Sequence, residues 1–421
     1  MASSRPPELL ITGLGVTSAI GQGKSDFTSA LLAGRHAFGV MQRPGRQKGT
    51  SFLGAEVPSL SLPERFTKRL LRTLSFSGQV ALATLQEAWD EAQLSTVDPS
   101  RIGLVVGGSN LQQRELLQTH ESYGDQLDFL RPTYGLSFLD SDLSGLCTEQ
   151  FGIRGFGYTI GGASASGQLA VLQAAEAVRS GQVDVCLAMG GLMDLSYMEL
   201  QGLRALGAMG SDRYADDPAR ACRPFDKGRD GFIYGEGCGV IVIERAEHAI
   251  QRQVRPYASV VGWGLAMDAN RNPNPSCEGE VRVIRQALER AGLSPEEIDY
   301  INPHGTGSGI GDETELQALR ECGLLAARIN ATKSITGHGL TAAGAVEIVA
   351  TLLQMRASQL HPTRNLEDPM DIEFNWVRGE AEPHDMHRAL SLSMGFGGVN
   401  TAICLQRVRG GRLWLPSVSK R

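Results

Sequence analysis

Apolar runs of eight or nine residues alternate along the chain with patterns typical of helices. Residues 9–16 (LLITGLGV), 101–108 (RIGLVVGG) and 183–191 (VDVCLAMGG) are nearly continuous apolar runs with glycine at or near their ends, as in buried strands. Residues 166–180 are rich in alanine and predict an amphipathic or buried helix. This alternation predicts an α/β fold with a largely parallel core.

The second half of the chain weakly resembles the first. Three segments recur in the same order, with small residues and glycines at matching offsets: 9–17 with 258–266, 101–109 with 298–308, and 162–170 with 339–347. Strand ends rich in small residues can look alike by chance, but three pairs in one order favour a duplication. The charged stretch 243–256 predicts a helix and a linker, which divides the chain into halves 1–250 and 251–421.

Composition narrows the class of protein. Charged residues make up 20% of the 421 residues and the net charge is −6, which indicates neither disorder nor a general attraction to nucleic acid. The seven cysteines form no CxxC pair, and their odd number fits reduced thiols. The N-terminal MASSRPPELLITG lacks a signal-peptide core, and we find no apolar run as long as a membrane span. We therefore expect a soluble, cytoplasmic protein, in which the segment after Val408 either wraps the surface or is mobile.

Ser164 is the first candidate for chemistry. It lies in GGASASG, between the strand-like FGYTI and the alanine-rich helix. A residue there faces free N–H groups and the positive end of the helix dipole, which favour a developing negative charge. A nucleophile or an oxyanion hole is sensible at this point, although a serine that merely caps the helix is the better explanation of the residue when it is taken alone.

Two histidines follow predicted strands in glycine-rich turns. His304 lies in NPHGTGSGIGDETE and His338 in ATKSITGHGLTAAGAVE. Functional residues gather at such strand ends in open α/β sheets, and a neutral imidazole there can donate a hydrogen bond to a forming enolate. Lys333 and Glu347 flank His338 and are expected to form an ion pair that orders the turn. No zinc-ligand spacing, HExxH, GxxxxGK[ST] or GxSxG motif occurs, so no metal site is expected.

These motifs make the chain resemble the β-ketoacyl synthases of fatty-acid and polyketide assembly. The resemblance covers almost the whole chain and depends on motifs in matching order: TGLGVTSAIG (12–21), GGASASG, RPFDKGRDGFIYGEG (223–237), NPHGTG, TKSITGHG and GFGGVN. It implies a duplicated thiolase fold with five layers, α-β-α-β-α, and a homodimer.

The resemblance also implies roles for residues. By this resemblance, the catalytic residues are Ser164, His304, His338 and Lys333. The substrate-binding residues are Phe396, Thr306, Ser308 and Glu347. The backbone N–H groups of Ser164 and Phe396 would form the oxyanion hole, with Phe396 as a gate. Thr306 and Ser308 would contact the phosphopantetheine arm of an acyl carrier protein, and no cofactor of its own is implied.

One position departs from the family pattern, because Ser164 stands where the family has its nucleophilic cysteine. A cysteine at a helix N-terminus has an accessible thiolate, whereas a serine hydroxyl needs a base. We therefore expect acyl transfer to be lost and decarboxylation, which needs only the histidines, to remain. The chain then resembles the freestanding decarboxylase of β-branching polyketide cassettes, which converts malonyl to acetyl carrier protein.

Three alternatives stay open at this stage. The chain could be a condensing enzyme or acyltransferase that uses Ser164, or one whose cysteine was replaced by serine. It could be a non-catalytic partner subunit similar to a chain-length factor, although such a partner has no need of His304, His338 and Lys333. A thiolase-fold synthase acting on coenzyme A fits least well. The basic stretch 66–72 (FTKRLLR) could meet an acidic carrier protein or be only a solvated surface.

Overall fold

The computed structural model describes residues 8–408, so the predicted surface segment after Val408 lies outside the described residues. The strands of the described part are β1 (Leu9–Ser18), β2 (Gly21–Gln22), β3 (Phe38–Val40), β4 (Leu53–Ala55), β5 (Ile102–Gly107), β6 (Phe156–Ile160), β7 (Val185–Gly190), β8 (Tyr234–Gly235), β9 (Gly237–Arg245), β10 (Ala258–Met267), β11 (Tyr300–Asn302), β12 (Arg328–Ile329), β13 (Gln359–Leu360), β14 (Asn375–Trp376), β15 (Glu382–Pro383), β16 (Arg388–Gly395) and β17 (Val399–Arg407).

The α-helices of the same part are α1 (Lys24–Leu32), α2 (Lys68–Leu71), α3 (Phe76–Glu91), α4 (Gln113–Tyr123), α5 (Tyr134–Ser137), α6 (Ser141–Phe151), α7 (Ser166–Ser180), α8 (Tyr197–Ala205), α9 (Ala246–Arg252), α10 (Cys277–Ala291), α11 (Gly309–Glu321), α12 (Lys333–Thr336) and α13 (Ala343–Ala357). The predicted helix 166–180 coincides with α7. The charged stretch 243–256 ends β9, forms α9 and then becomes the connection to β10.

The large sheet shows the predicted duplication directly. Its strands follow the order β14-β12-β11-β16-β17-β10-β1-β9-β7-β5-β6. Counted along the chain, the first half runs 3-2-4-5-1 from its outer edge (β6-β5-β7-β9-β1), and the second half repeats that order (β12-β11-β16-β17-β10). The two halves join where three residues of β1 pair with three residues of β10.

The sheet is mixed, so the expectation of a largely parallel core is only half right. In each half the outer strands pair in parallel, as in β5 with β6 and with β7. Strands β9 and β17 pair antiparallel with both of their neighbours. Parallel neighbours need a crossover connection such as a helix. The long segment between β7 and β9 instead returns the chain in the opposite direction.

Five layers build the molecule, as the family resemblance implies. Helices α7 and α13 pack against each other and against strands of both halves, so they form the central layer. Helices α3 and α6 cover the outer face of the first half, and α10 covers that of the second half with α11 packed against it. Three large apolar clusters fill the spaces between these layers.

One helical segment of the described chain, Leu340–Ala357, is long and apolar enough by composition to cross a membrane, and 89% of it is buried inside the molecule. The expectation that no apolar run reaches this length is therefore wrong. The run is the central helix α13 with the turn before it, and such a helix is apolar all round because protein surrounds it.

Candidate active site

Ser164 lies at the junction between the two halves, at the start of the central layer. A 3₁₀ turn, Ala163–Ala165, leads directly into α7, and Ala163 has a φ of 48°. This left-handed backbone turns the chain sharply, so that Ser164 lies in the middle of the turn, before the first residue of the helix. The side chain of Ser164 is buried, and its Oγ lies 2.9 Å from His338 Nε2.

The second histidine completes the pair. The ring centroids of His304 and His338 lie 5.5 Å apart and the rings are nearly perpendicular. Phe232 presents a ring to His338 in the same edge-to-face manner, with centroids 5.1 Å apart. Both imidazoles and Ser164 line one cavity of 270 Å³.

Lys333 contacts both His304 and Glu347. Its ammonium donates to Glu347 Oε1 and to the backbone oxygen of His304, both at 2.5 Å, and faces His304 Nδ1 at 3.4 Å. An ammonium carries only donors, so the lone pair of His304 lies on Nδ1 and the ring hydrogen on Nε2. Burial raises the pKa of Glu347 to about 7, and the Lys333 charge opposes that rise.

Both imidazoles are neutral. Burial lowers the pKa of His304 well below its ordinary 6.5, and the Lys333 ammonium and then the neighbouring His338 ring lower it further. Burial and then Lys333 do the same to the pKa of His338. A charged imidazolium is disfavoured beside a buried ammonium. The site therefore offers two neutral imidazoles to a ligand.

The predicted substrate-binding residues divide into two groups. Phe396, Thr306 and Ser308 line the cavity with Ser164 and the histidines. Phe396 is 38% exposed, directly after β16. Glu347 is not among the residues that line this cavity in the described chain, and it lies behind Lys333.

The two backbone segments that carry the predicted oxyanion donors pack closely against each other. A Cβ added to Gly395 would lie 2.1 Å from the carbonyl oxygen of Gly162 and 3.1 Å from the nitrogen of Ala165. Ser393 also donates from its hydroxyl to the backbone oxygen of Ser164. The end of β16, and with it Phe396, therefore sits directly against the Ser164 turn.

Several acidic residues beside the site carry no role in the sequence prediction. Glu315 accepts hydrogen bonds from the backbone N–H groups of His304 (2.6 Å) and Gly305 (2.8 Å). Asp312 accepts from Thr306 and Gly307. The spacing of Asp312 and Glu315 in GDETE, one helical turn apart after the histidine turn, is the sequence signal that could have identified them. Within residues 8–408 no group of three or more acidic, histidine or cysteine side chains is arranged to hold a metal ion.

Comparison with known proteins agrees with this geometry. The family model described as "Beta-ketoacyl synthase, N-terminal domain" matches residues 7–249, and "Beta-ketoacyl synthase, C-terminal domain" matches residues 257–367. The polyketide biosynthesis malonyl-ACP decarboxylase PksF of Bacillus subtilis (strain 168) is 63% identical over 408 residues, which cover 97% of this chain and 98% of that protein. The 3-oxoacyl-(acyl-carrier-protein) synthase 2 of Coxiella burnetii is 30% identical over 411 residues, which cover 95% of this chain and 98% of that protein.

Solved structures show the same architecture. A β-ketoacyl synthase from Burkholderia phymatum STM815 superposes with a TM-score of 0.86 at 28% identity, covering 96% of this chain and 100% of that one. The ketosynthase complex AntDE:AntF, with a type II polyketide synthase acyl-carrier protein, gives a TM-score of 0.85 at 28% identity with the same coverage. On the fold, the histidine pair and both family matches, this chain belongs to the β-ketoacyl synthase family.

Proposed function

We propose that this chain decarboxylates malonyl thioester on an acyl carrier protein to acetyl thioester, in polyketide biosynthesis. The observation that carries the proposal is the pair of neutral imidazoles beside Ser164, where the family places its cysteine. The 63% identity to a protein named a polyketide biosynthesis malonyl-ACP decarboxylase supports it.

The reaction needs stabilisation of one oxygen. The bond between the malonyl methylene carbon and its carboxylate breaks, carbon dioxide leaves, and the electron pair moves onto the thioester oxygen as an enolate. His304 and His338 can donate N–H hydrogen bonds to that oxygen. Such preorganised donors strengthen as charge develops, and no covalent bond to the protein is required.

Ser164 and His338 also have the spacing of a nucleophile and its base, which is the observation behind the alternative of an acyltransferase. A working pair of that kind has a third group that orients the base. Among residues 8–408, no group hydrogen-bonds to His338 Nδ1, which is buried. The lowered pKa of His338 also makes it a weak base. The site therefore favours decarboxylation over acyl transfer.

A carrier protein can approach along an exposed basic surface near α2. This surface consists of four exposed side chains: Arg65, Lys68, Arg69 and Arg72. Carrier proteins that are acidic would meet it with complementary charge. We expect the double change Lys68→Glu and Arg69→Glu to raise KM for malonyl-carrier protein and to leave KM for malonyl-pantetheine unchanged.

We further propose that the chain acts as a homodimer in the cytoplasm, as the resemblance implies. The open edge of β6 and the apolar side chains beside it support self-association. The seven cysteines are all unpaired thiols, which fits a reducing compartment.

Intact-mass analysis of malonyl-carrier protein incubated with the protein tests the function. We expect loss of one carbon dioxide to give acetyl-carrier protein, with no acyl-enzyme. Ser164→Ala should keep much of this activity, whereas His304→Ala should lose most of it. His120→Ala, at an exposed position of α4, is the matched control and should behave as wild type. Unchanged malonyl-carrier protein, or an acyl-enzyme whose formation needs Ser164, would contradict the proposal.

A further inference from the structure

Glu280 is a buried carboxyl group in the wall of the active-site cavity. It lies in the first turn of α10, which follows the capping residue Ser276. Its side chain is only 2% exposed, and it lines the same cavity as Ser164, His304 and His338. Within residues 8–408, its buried Oε2 has no hydrogen-bond partner.

The neighbouring acids show which of them holds a proton. Glu315 accepts two backbone N–H groups, as described above, and Asp312 accepts from three, including Phe225 N at 2.7 Å. Asp268 accepts from Asn400 Nδ2 at 2.7 Å. N–H donors stabilise the ionised form of an acid, and Glu280 Oε2 has none.

Glu280 is therefore the member of this group that holds a proton most readily. Burial raises the pKa of Glu280 well above its ordinary value, and the charges of Glu315, Asp268 and Asp312 raise it further. A lone buried carboxylate among three other acids would be very costly, whereas a neutral carboxylic acid is not. The cavity thus contains a carboxyl O–H that no other described group uses.

We propose that Glu280 is the general acid that protonates the enolate carbon and so releases acetyl thioester. The inference rests on the proposed decarboxylation. In the step, the Glu280 O–H bond breaks, its proton forms the new C–H bond on the methylene carbon, and the enolate oxygen returns to a carbonyl. The Glu280 carboxylate then regains a proton from bulk solvent through water that enters the cavity, so each turnover consumes one solvent proton and releases one carbon dioxide.

The chemistry of the other cavity groups explains why a separate acid is needed. The two imidazoles are neutral, and their N–H groups are used on the enolate oxygen. A serine hydroxyl is a far weaker acid than a carboxylic acid. In a condensing enzyme the enolate carbon attacks an acyl group, but here that carbon has no electrophile and must take a proton.

The test compares Glu280→Gln with wild type on malonyl-carrier protein. Glutamine keeps the shape of the side chain and cannot supply an acid proton. We expect kcat to fall on the order of 10²-fold, a typical contribution of general acid catalysis, with KM within twofold of wild type. Glu278→Gln is the matched control, because Glu278 lies on the same helical turn but is 83% exposed and pairs with Arg282. This control should leave kcat unchanged.

A second measurement separates proton donation from a structural role. In an equal mixture of H2O and D2O, the fraction of deuterium in the acetyl product reports the donor. This fraction should change in Glu280→Gln and stay at the wild-type value in Glu278→Gln. Glu280→Ala should regain part of its kcat when formate is added, because formic acid can enter the space left by the side chain.

These experiments distinguish failure of the proposed function from failure of the proposed role of Glu280. If wild type itself leaves malonyl-carrier protein unchanged, the proposed function fails. If wild type is active and folded Glu280→Gln retains its kcat, or raises KM alone, Glu280 is not the acid. An unchanged deuterium fraction in Glu280→Gln, or no rescue of Glu280→Ala by formate, would equally overturn the inference.

Discussion

The Ser164 hydroxyl occupies a position that is well suited to a thiolate. It lies at the N-terminal end of α7, next to a neutral imidazole and in a cavity that the partly exposed Phe396 also lines. The helix dipole and the free N–H groups at that end stabilise negative charge. The surroundings of a reactive cysteine are therefore present, and the hydroxyl cannot exploit them because it does not ionise at neutral pH.

We predict that Ser164→Cys gains a thiol that iodoacetamide alkylates at neutral pH. The helix N-terminus lowers the pKa of a thiol at this position. The native cysteines should not be alkylated under these conditions, because six of them are buried. Burial raises the pKa of the seventh, Cys277, to about 11. Intact mass should show one adduct on the variant and none on wild type; an unlabelled variant would mean that the cavity does not activate a thiol.

The neutral histidines give a second prediction, on pH dependence. Because burial and Lys333 hold the pKa of His304 and of His338 well below 6.5, both rings stay neutral as the pH falls through 6.5. We therefore expect the acid limb of the kcat profile to lie well below pH 6.5. In Lys333→Met the loss of the ammonium should raise both pKa values, so the acid limb should move to higher pH. Profiles of kcat against pH for the two proteins check this, and a wild-type limb near 6.5 would contradict it.

At the scale of elements, the two central helices begin in the same unusual way. Ala163 and Leu340 have φ values of 48° and 50°, and each opens a 3₁₀ turn that continues into α7 or α13. Non-glycine residues adopt this left-handed conformation rarely, at a cost of about 1 kcal/mol or more. Its presence at both equivalent places is strong support for the duplication that the sequence pattern indicates.

Much of the fold and the catalytic cluster could be predicted from the sequence because their signals are local. The apolar run and alanine content of 166–180 define α7 within one segment, and the glycine turns around His304 and His338 mark two strand ends. Glu280 shows what could not be predicted. Its partners in the acidic group, Glu315 and Asp268, come from other elements, and nothing near position 280 in the sequence indicates a buried carboxyl.

The contact between β16 and the Ser164 turn leads to a prediction for Gly395→Ala. The added methyl would overlap the Gly162 carbonyl oxygen, which is backbone and cannot move aside cheaply. We expect a loss of about 1–3 kcal/mol in the free energy of unfolding, as for overpacked sites, together with lower kcat because the Ser164 turn shifts. Urea unfolding and the carrier-protein assay measure the two effects.

Gly145→Ala is the matched control for that substitution. Gly145 lies on the exposed side of α6, and a Cβ there would meet nothing within 4 Å. Alanine should stabilise this helix by up to about 1 kcal/mol and leave kcat unchanged. If Gly395→Ala were as stable and active as the control, the two backbone segments would not be in the tight contact described here.

At the scale of the whole molecule, the active site depends on both halves. Ser164 comes from the first half of the duplicated fold, and His304 and His338 come from the second. The central helices α7 and α13 pack on each other and so fix the distance between the two contributions. Each half repeats the same strand order, yet each supplies a different chemical group, so the site exists only where the halves meet.

The outer edge of the first half is the surface on which the proposed homodimer depends. Strand β6 pairs with β5 on one side only, and Tyr158 on this strand is 40% exposed. Thr159 donates a hydrogen bond to the backbone oxygen of Asp140, which places the edge beside the C-terminal end of the segment 127–139. Five exposed apolar side chains lie in that segment: Leu127, Phe129, Leu136, Phe138 and Leu139. Open strand edges and contiguous apolar patches are typical of interfaces.

We predict that the protein elutes at twice the mass of the chain in size-exclusion chromatography with light scattering, and that Tyr158→Lys combined with Phe129→Lys shifts it to the monomer. A two-fold interface contains the same patch from both subunits, so each substitution places two lysines in the interface, and the two substitutions place four like charges there. Ile372→Lys is the matched control, since Ile372 is 84% exposed and precedes β14, at the opposite end of the strand order. It should remain a dimer. A monomeric wild type, or a double variant that stays dimeric, would place the contact elsewhere, because an edge strand carrying buried lysines cannot pair with its own copy.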